Sequence, residues 1–275
     1  MQLLLTIVFL FCSLGISGFI YYICQWYKAW YYCFIPLLFI PIFFLLFFGL
    51  YIGIIFFISL FMDKKKTVRK PNPFWYFWIK QTAFLLIMLS RTKVQTEGLE
   101  QLNRGKRYLV VSNHISTFDP MLAITRLKLD PLICVTKKEN LKIPICGSFI
   151  HHVGFIPLDR RDSHSAVQMV KTATEYLKEN QSSIYICPEG TRSKTEELLP
   201  FHPGSFKIAK RAGVEIAVCY IEHTNQIVRH FPWKRTRTAI RILSILSKED
   251  VETKTTQELA MLSQTIMQKF KENKR

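Results

Sequence analysis

Charge is nearly absent from the first 62 residues: between Met1 and Met62 the one formally charged side chain is Lys28. A segment without charge has no polar face to offer water, which leaves about 210 residues for one soluble domain. Residues 3–24 form an uncharged run of 22, and residues 34–62 another of 29 with Pro36 and Pro41 near its start. Roughly 20 apolar residues span a bilayer core, so each run is long enough to cross it. The start, MQLLL, lacks a basic n-region and no A-x-A-like site follows, which argues against a cleaved signal peptide.

Cysteine pairs and metal-ligand clusters are missing too. The seven cysteines lie singly in apolar runs, with no C-x-x-C and no His/Cys group at zinc-ligand spacing. They read as small apolar residues in a reducing compartment, and neither a disulfide nor a metal is implied. The basic, aromatic run RHFPWKRTRTAIR (Arg229 to Arg241) has no helix-turn-helix, zinc-finger or RNP pattern beside it, so nucleic acid is not the expected partner.

What the chain does have is basic charge. Thirty-seven Lys and Arg against 20 Asp and Glu give a formal charge of +17, nearly all of it beyond residue 62. In a membrane-anchored protein this excess suits anionic lipids and phosphate-bearing substrates. The connection QWYKAWYYC is short and aromatic, whereas DKKKTVRK (Asp63 to Lys70) carries five basic residues after the second run. Basic residues stay on the cytoplasmic side, so residues 1–62 read as a transmembrane hairpin with both ends inside, in the cell membrane. The stretch FWYFWIKQTAFLLIMLS (Phe74 to Ser90) contains Lys80 and has basic flanks at both ends. It reads as an interfacial helix, with a buried core helix as the competing reading. The expected organisation is hairpin 1–62, basic linker and interfacial helix 63–92, and a soluble domain 93–275.

From residue 93 onward, short β-branched and aromatic runs alternate with helical patterns, as in an α/β domain. Strands are expected at 93–97, 108–112, 132–136, 153–157, 183–187, 215–221 and 237–246, giving a mixed sheet of about seven strands flanked by helices. Ala166, Met169, Val170, Ala173, Tyr176 and Leu177 share one helical face behind Asp162 and Ser163, which predicts a helix over 162–179. The tail 255–271 reads as an exposed helix.

VSNHISTFDP (Val111 to Pro120) leaves an apolar run and sets His114 five residues before Asp119. The spacing fits a catalytic base with its orienting carboxylate, and equally a strand running into a turn with Asp119 as helix cap. NHISTFD, LDRRD and PEGTRSK each follow an expected strand, where ligands of open α/β sheets gather.

VSNHISTFDP, GFIPLDR and CPEGTRSK, in this order and with KKENLKIPICG between the first two, resemble the glycerolipid acyltransferase family, specifically its 1-acylglycerol-3-phosphate acyltransferase branch, over roughly residues 72–225. His114 and Asp119 match its H-x-x-x-x-D element, Gly154 to Arg160 its G-x-x-F-I-x-R-like element, and Pro188 to Arg192 its P-E-G-T-R. The resemblance implies acyl transfer from a coenzyme A or acyl-carrier-protein thioester to the hydroxyl of lysophosphatidic acid, with no cofactor beyond that donor. His114 would be the general base and Asp119 its orienting acid. Arg160 and Arg192 would bind phosphate, aided by Thr191, the Gly190 amide and Lys137, and Glu189 would orient Arg192 or the loop. Another lysolipid or acylated amino acid lipid as acceptor, thioester hydrolysis, and non-catalytic lipid binding are the competing readings.

The chain departs from the family in AGVEIAVCYI (Ala212 to Ile221), where Glu215 and Val218 replace two prolines of a block near the acyl-binding region of relatives, and in FHPGSF, where basic residues are altered.

Overall fold

The computed structural model describes residues 4–25, 34–60, 62, 68, 70–195 and 197–274. It divides into two compact units, Met1–Asp63 and Lys64–Arg275. Lys28 and most of the basic segment 63–70, on which the topology reading rests, lie outside the described residues.

The first unit is a pair of apolar helices, α1 (Leu4–Ile23) and α2 (Ile35–Leu60). Phe9 of α1 meets Phe44, Phe47 and Tyr51 of α2 at ring distances of 6.3, 6.3 and 5.9 Å. Ser13 and Ser17 are buried, and their hydroxyls donate to the Phe9 and Ser13 carbonyls at 2.6 and 2.7 Å. Small residues with internally satisfied hydroxyls allow close helix packing in an apolar medium. Among the described residues, one helical stretch, Leu37–Leu60, is long and apolar enough to cross a membrane, and the apolar part of α1, Ile7–Ile23, is shorter.

The second unit opens with α3 (Pro73–Leu89), continues through β1 (Thr92–Glu97), β2 (Leu109–Ser112), α4 (Asp119–Arg126), β3 (Leu132–Lys137), α5 (Cys146–Val153), β4 (Ile156–Leu158), α6 (Ser163–Lys178), β5 (Ser183–Ile186), α7 (Lys207–Ala212), β6 (Ile216–Glu222), α8 (Asn225–His230) and β7 (Thr236–Leu246), and ends in α9 (Lys248–Thr253) and α10 (Thr256–Glu272). The seven strands form one sheet in the order β1-β7-β6-β2-β5-β3-β4. β6, β2, β5, β3 and β4 run parallel, β7 lies antiparallel to β6, and β1 pairs parallel with β7. The sheet is therefore mixed. Its central strands β2, β5 and β6 are buried along their whole length, as a parallel sheet covered on both faces requires.

α6 forms as its periodicity predicts, with the Asp162 carboxylate capping His164 N–H at 2.9 Å and Met169, Val170, Ala173, Tyr176 and Leu177 buried. Two expectations are corrected. Val153 closes a helix rather than starting a strand, because Gly154 turns the chain at φ +96 and the strand begins only at Ile156. The tail helix α10 is not wholly exposed: Leu259, Ala260, Ser263 and Met267 are buried, and Gln264 accepts the Phe201 N–H at 3.3 Å.

α3 starts at Pro73 behind Asn72, whose side chain caps the Phe74 and Trp75 N–H groups. It belongs to the same compact unit as the sheet, so its inner face matches the core-helix reading, with Tyr76, Ala83, Leu85 and Ile87 buried. The Tyr76 hydroxyl donates to Asp130 and accepts the Leu132 N–H, both at 3.0 Å, while Lys80 pairs with Asp130. On the outer face Phe74 stays 58% exposed. Tyr76→Phe should cost about 1–3 kcal/mol by leaving the Leu132 amide unpaired, whereas Phe74→Ser should change stability by less than about 0.5 kcal/mol. Thermal melts of the two variants check this, and an unchanged Tyr76→Phe melt contradicts the anchoring.

Candidate active site

Five parallel strands present their carboxyl ends on one side of the sheet, and the sequence-predicted residues follow four of them. Past β2, Asn113 donates to the Ile221 carbonyl and accepts the Ile221 N–H, both at 2.8 Å, which staples the ends of β2 and β6 together. The next residue, His114, leaves the strand with its ring 17% exposed. Asp119 begins α4 but folds its side chain back rather than capping its own helix. Its Oδ2 accepts the N–H groups of Ile115 and Ser116 at 2.8 Å each and sits 2.8 Å from His114 Nδ1. Its Oδ1 accepts the hydroxyl of Thr224, beyond β6. Both Asp119 and Thr224 are fully buried. A carboxylate only accepts, so Nδ1 carries the imidazole proton and Nε2 is left as the basic nitrogen.

Past β5, the Glu189 Oε1 accepts the His114 N–H at 3.1 Å, while the Ser193 N–H donates to the His114 carbonyl at 2.8 Å. The two loops are thus joined through the histidine backbone, and Glu189 orients the loop rather than Arg192. Glu189 is 3% exposed, and its buried Oε2 has no hydrogen-bond partner among the described residues. Burial pushes its carboxyl up to about 7, against the pull of hydrogen bonds from the His114 and Leu199 backbone. Gly190 sits at φ +67, and a Cβ there would lie 3.1 and 3.2 Å from the His202 ring. The left-handed backbone favours glycine, and a side chain there would also crowd the His202 ring.

These ends border a cavity of about 950 Å³. Ile79 and Leu86 of α3, Met121 and Ile124 of α4, Ile150 and Phe155 supply apolar wall, and His114, Lys137, Arg160, Glu189, Gly190, Thr191 and Arg192 all line it. Asp119 stands behind the wall. Arg160, Thr191 and Arg192 are exposed, and neither arginine forms an ion pair among the described residues. Lys137 pairs with Glu139 at 3.1 Å, which offsets part of its charge. No group of three or more potential metal ligands occurs among the described residues.

Sequence reading missed Thr224, His202, Lys207 and Arg211, the last three also on the cavity wall. Thr224 lies 105 residues from Asp119, and no local spacing could reveal their bond. The proline-replacing residues prove remote from the cavity: Glu215 pairs with Lys106 at 2.9 Å at the amino end of β6, and Val218 is buried within the strand.

Because the folded state raises the Glu189 carboxyl from 4.5 to about 7, the native state binds this proton more tightly than the unfolded chain. The ionised form therefore destabilises the fold above pH 7, and the penalty vanishes as pH falls below 4.5. Glu189→Gln should raise the melting temperature at pH 8, with the gain shrinking through the window between those values. A gain independent of pH would contradict the assignment.

Comparison with known proteins agrees with this geometry. Residues 93–222 match the family described as Acyltransferase. The chain is 31% identical over 180 residues to a 1-acyl-sn-glycerol-3-phosphate acyltransferase of Saccharomyces cerevisiae, covering 63% of this chain and 59% of that protein. To the Escherichia coli protein of the same name it is 33% identical over 120 residues, 43% of this chain and 49% of the relative. The chain thus spans about half to three-fifths of the length of these relatives. The crystal structure of the 1-acyl-sn-glycerophosphate acyltransferase PlsC from Thermotoga maritima shares the fold, with a TM-score of 0.58 and 23% identity over 82% of this chain and 88% of that one. The ordered motifs of this chain and the strands that carry His114, Arg160 and Glu189 all fall within the residues 93–222 that match the Acyltransferase family model.

Proposed function

We propose that this chain transfers a fatty acyl group from an acyl thioester to the free hydroxyl of lysophosphatidic acid, giving phosphatidic acid. The observation that carries the reading is an oriented imidazole, His114, on the wall of an apolar cavity of about 950 Å³ whose other lining residues include Arg160 and Arg192. The relatives matched above carry the name of that reaction.

In the proposed step the acceptor hydroxyl gives its proton to Nε2 of His114 as its oxygen bonds to the thioester carbonyl carbon. The tetrahedral oxyanion then re-forms the carbonyl and expels the thiolate, which takes the proton from the imidazolium. Ester and thiol leave, and the histidine is restored. Asp119 stabilises the imidazolium in between, as in a Ser-His-Asp triad in which the substrate supplies the hydroxyl. Cys187 also lines the cavity, but burial, with the Asp119 carboxylate adding to it, holds its thiol well above the usual range. A thiolate nucleophile is thereby disfavoured, which supports direct transfer.

Arg160 and Arg192 supply bidentate donors for the acceptor phosphate, with Lys137, Thr191 and the Gly190 amide as further donors. A carboxylate beside phosphate repels it, and at the position of Glu189 burial favours the neutral form. Coenzyme A or acyl-carrier protein is the proposed carrier, and anionic lipids the surroundings. The apolar runs of α1 and α2, with the basic segments seen in sequence, support a multi-pass membrane protein with its catalytic unit on the cytoplasmic side.

General-base catalysis contributes roughly 10²–10⁴ in rate, so folded His114→Ala should lose at least about 10²-fold in kcat. Asp119→Asn and Thr224→Val should lose less, and Thr224→Ser should retain most activity. Retention of a tenth of wild-type turnover by His114→Ala rejects the mechanism. In a separate comparison of acceptors, Arg192→Ala or Arg160→Ala should impair use of lysophosphatidic acid far more than use of a phosphate-free monoacylglycerol. Equal losses on both would show that neither arginine reads phosphate.

A further inference from the structure

Between Glu222 and Glu249 the chain has no acidic residue, while Arg229, Lys234, Arg235, Arg237, Arg241 and Lys248 are basic. Arg241 is buried between Glu97 and Glu222. Arg229, Lys234, Arg235 and Arg237 are exposed and form no ion pair among the described residues, in contrast to Lys106, Lys254 and Lys271, each of which has a carboxylate partner. The parallel register Lys93↔Arg237 brings exposed Lys93 beside them.

Apolar side chains stand among these cations. Trp233 is 84% exposed, Val228 64% and Phe231 53%. They are held there by ordered structure: the N–H groups of Phe231 and Lys234 donate to Ile227 and His230 carbonyls at 3.0 and 2.8 Å. His230 Nδ1 lies 3.0 Å from Thr236 Oγ1, Ile227 is fully buried, and Arg91, just past α3, donates to the Trp233 carbonyl at 3.3 Å. A structured, protruding apolar cluster marks a contact surface. Tryptophan prefers the bilayer interface, and unpaired cations are drawn to anionic headgroups. The same chain carries a helix long and apolar enough to span a membrane.

We infer that the segment 228–237 is a contact for an anionic bilayer surface, with Trp233 and Phe231 entering the headgroup region and Arg229, Lys234 and Arg235 lying against lipid phosphates. This surface is separate from the cavity, and none of these residues lines it. Its role does not depend on the proposed reaction.

The full chain and its Trp233→Phe variant, reconstituted in nanodiscs of phosphatidylcholine with or without phosphatidylglycerol, provide the test. The lipids are brominated near the carbonyl end of the acyl chain, and the emission difference between the two proteins isolates Trp233. Its quenching should be at least about twofold greater with phosphatidylglycerol present, and Lys234→Gln with Arg235→Gln should abolish the difference. Matching thermal melts verify that the variants fold. A Trp233 signal that stays open to acrylamide, or that is quenched equally in both lipids, overturns the inference. Shielding of Trp233 by a single-stranded oligonucleotide, without shielding by phosphatidylglycerol, overturns it too and assigns the surface to nucleic acid.

Discussion

Asp119 has no contact with solvent, and the donors that satisfy it come from two distant parts of the chain. Ile115 and Ser116 lend backbone N–H groups from the turn after β2, His114 lends its ring, and Thr224 reaches in from beyond β6. Burying a carboxyl group is costly unless its lone pairs are matched, so the β2 turn, the start of α4 and the exit of β6 must all assume their places together. Asn113, stapled to Ile221 one residue before His114, serves the same junction. The orientation of the imidazole is a by-product of satisfying this one side chain.

The sheet carries the same logic outward. Parallel strands bring all their carboxyl ends to one side, where β2 delivers His114, β3 Lys137, β4 Arg160, β5 Glu189 to Arg192, and β6 Thr224. Cations and the histidine thereby share a cavity with the apolar side chains of α3 and α4. Such a site can hold a molecule that is apolar along most of its length and anionic at one end, the shape of chemistry proposed for it. α3 matters here because it closes the wall while Tyr76 and Lys80 tie it to the start of β3.

Much of this was legible in sequence, for local reasons. Buried parallel strands are short continuous apolar runs, so β2, β3, β5 and β6 appear within a residue or so of their expected places. His114 and Asp119 are close in sequence because one turn joins them, and Pro188 to Arg192 occupy one loop. Where expectation failed, the deciding contact was distant or the backbone unusual. Gly154 at φ +96 moved the start of β4, and core contacts on one face of α10 replaced the exposure that its polar composition suggested.

By itself the sequence determined the mixed α/β character, the two apolar runs at the start, the His114–Asp119 pair and the P-E-G-T-R loop, because period, composition and short spacing are properties of neighbouring residues. Only the tertiary structure decided that Thr224 completes the Asp119 shell, that Glu189 braces His114 rather than Arg192, that Glu215 and Val218 stand away from the cavity, and that α3 belongs to the second compact unit. Each of these depends on hydrogen bonds and burial between segments tens to more than a hundred residues apart, and such pairings exist only once the sheet has brought its strand ends together.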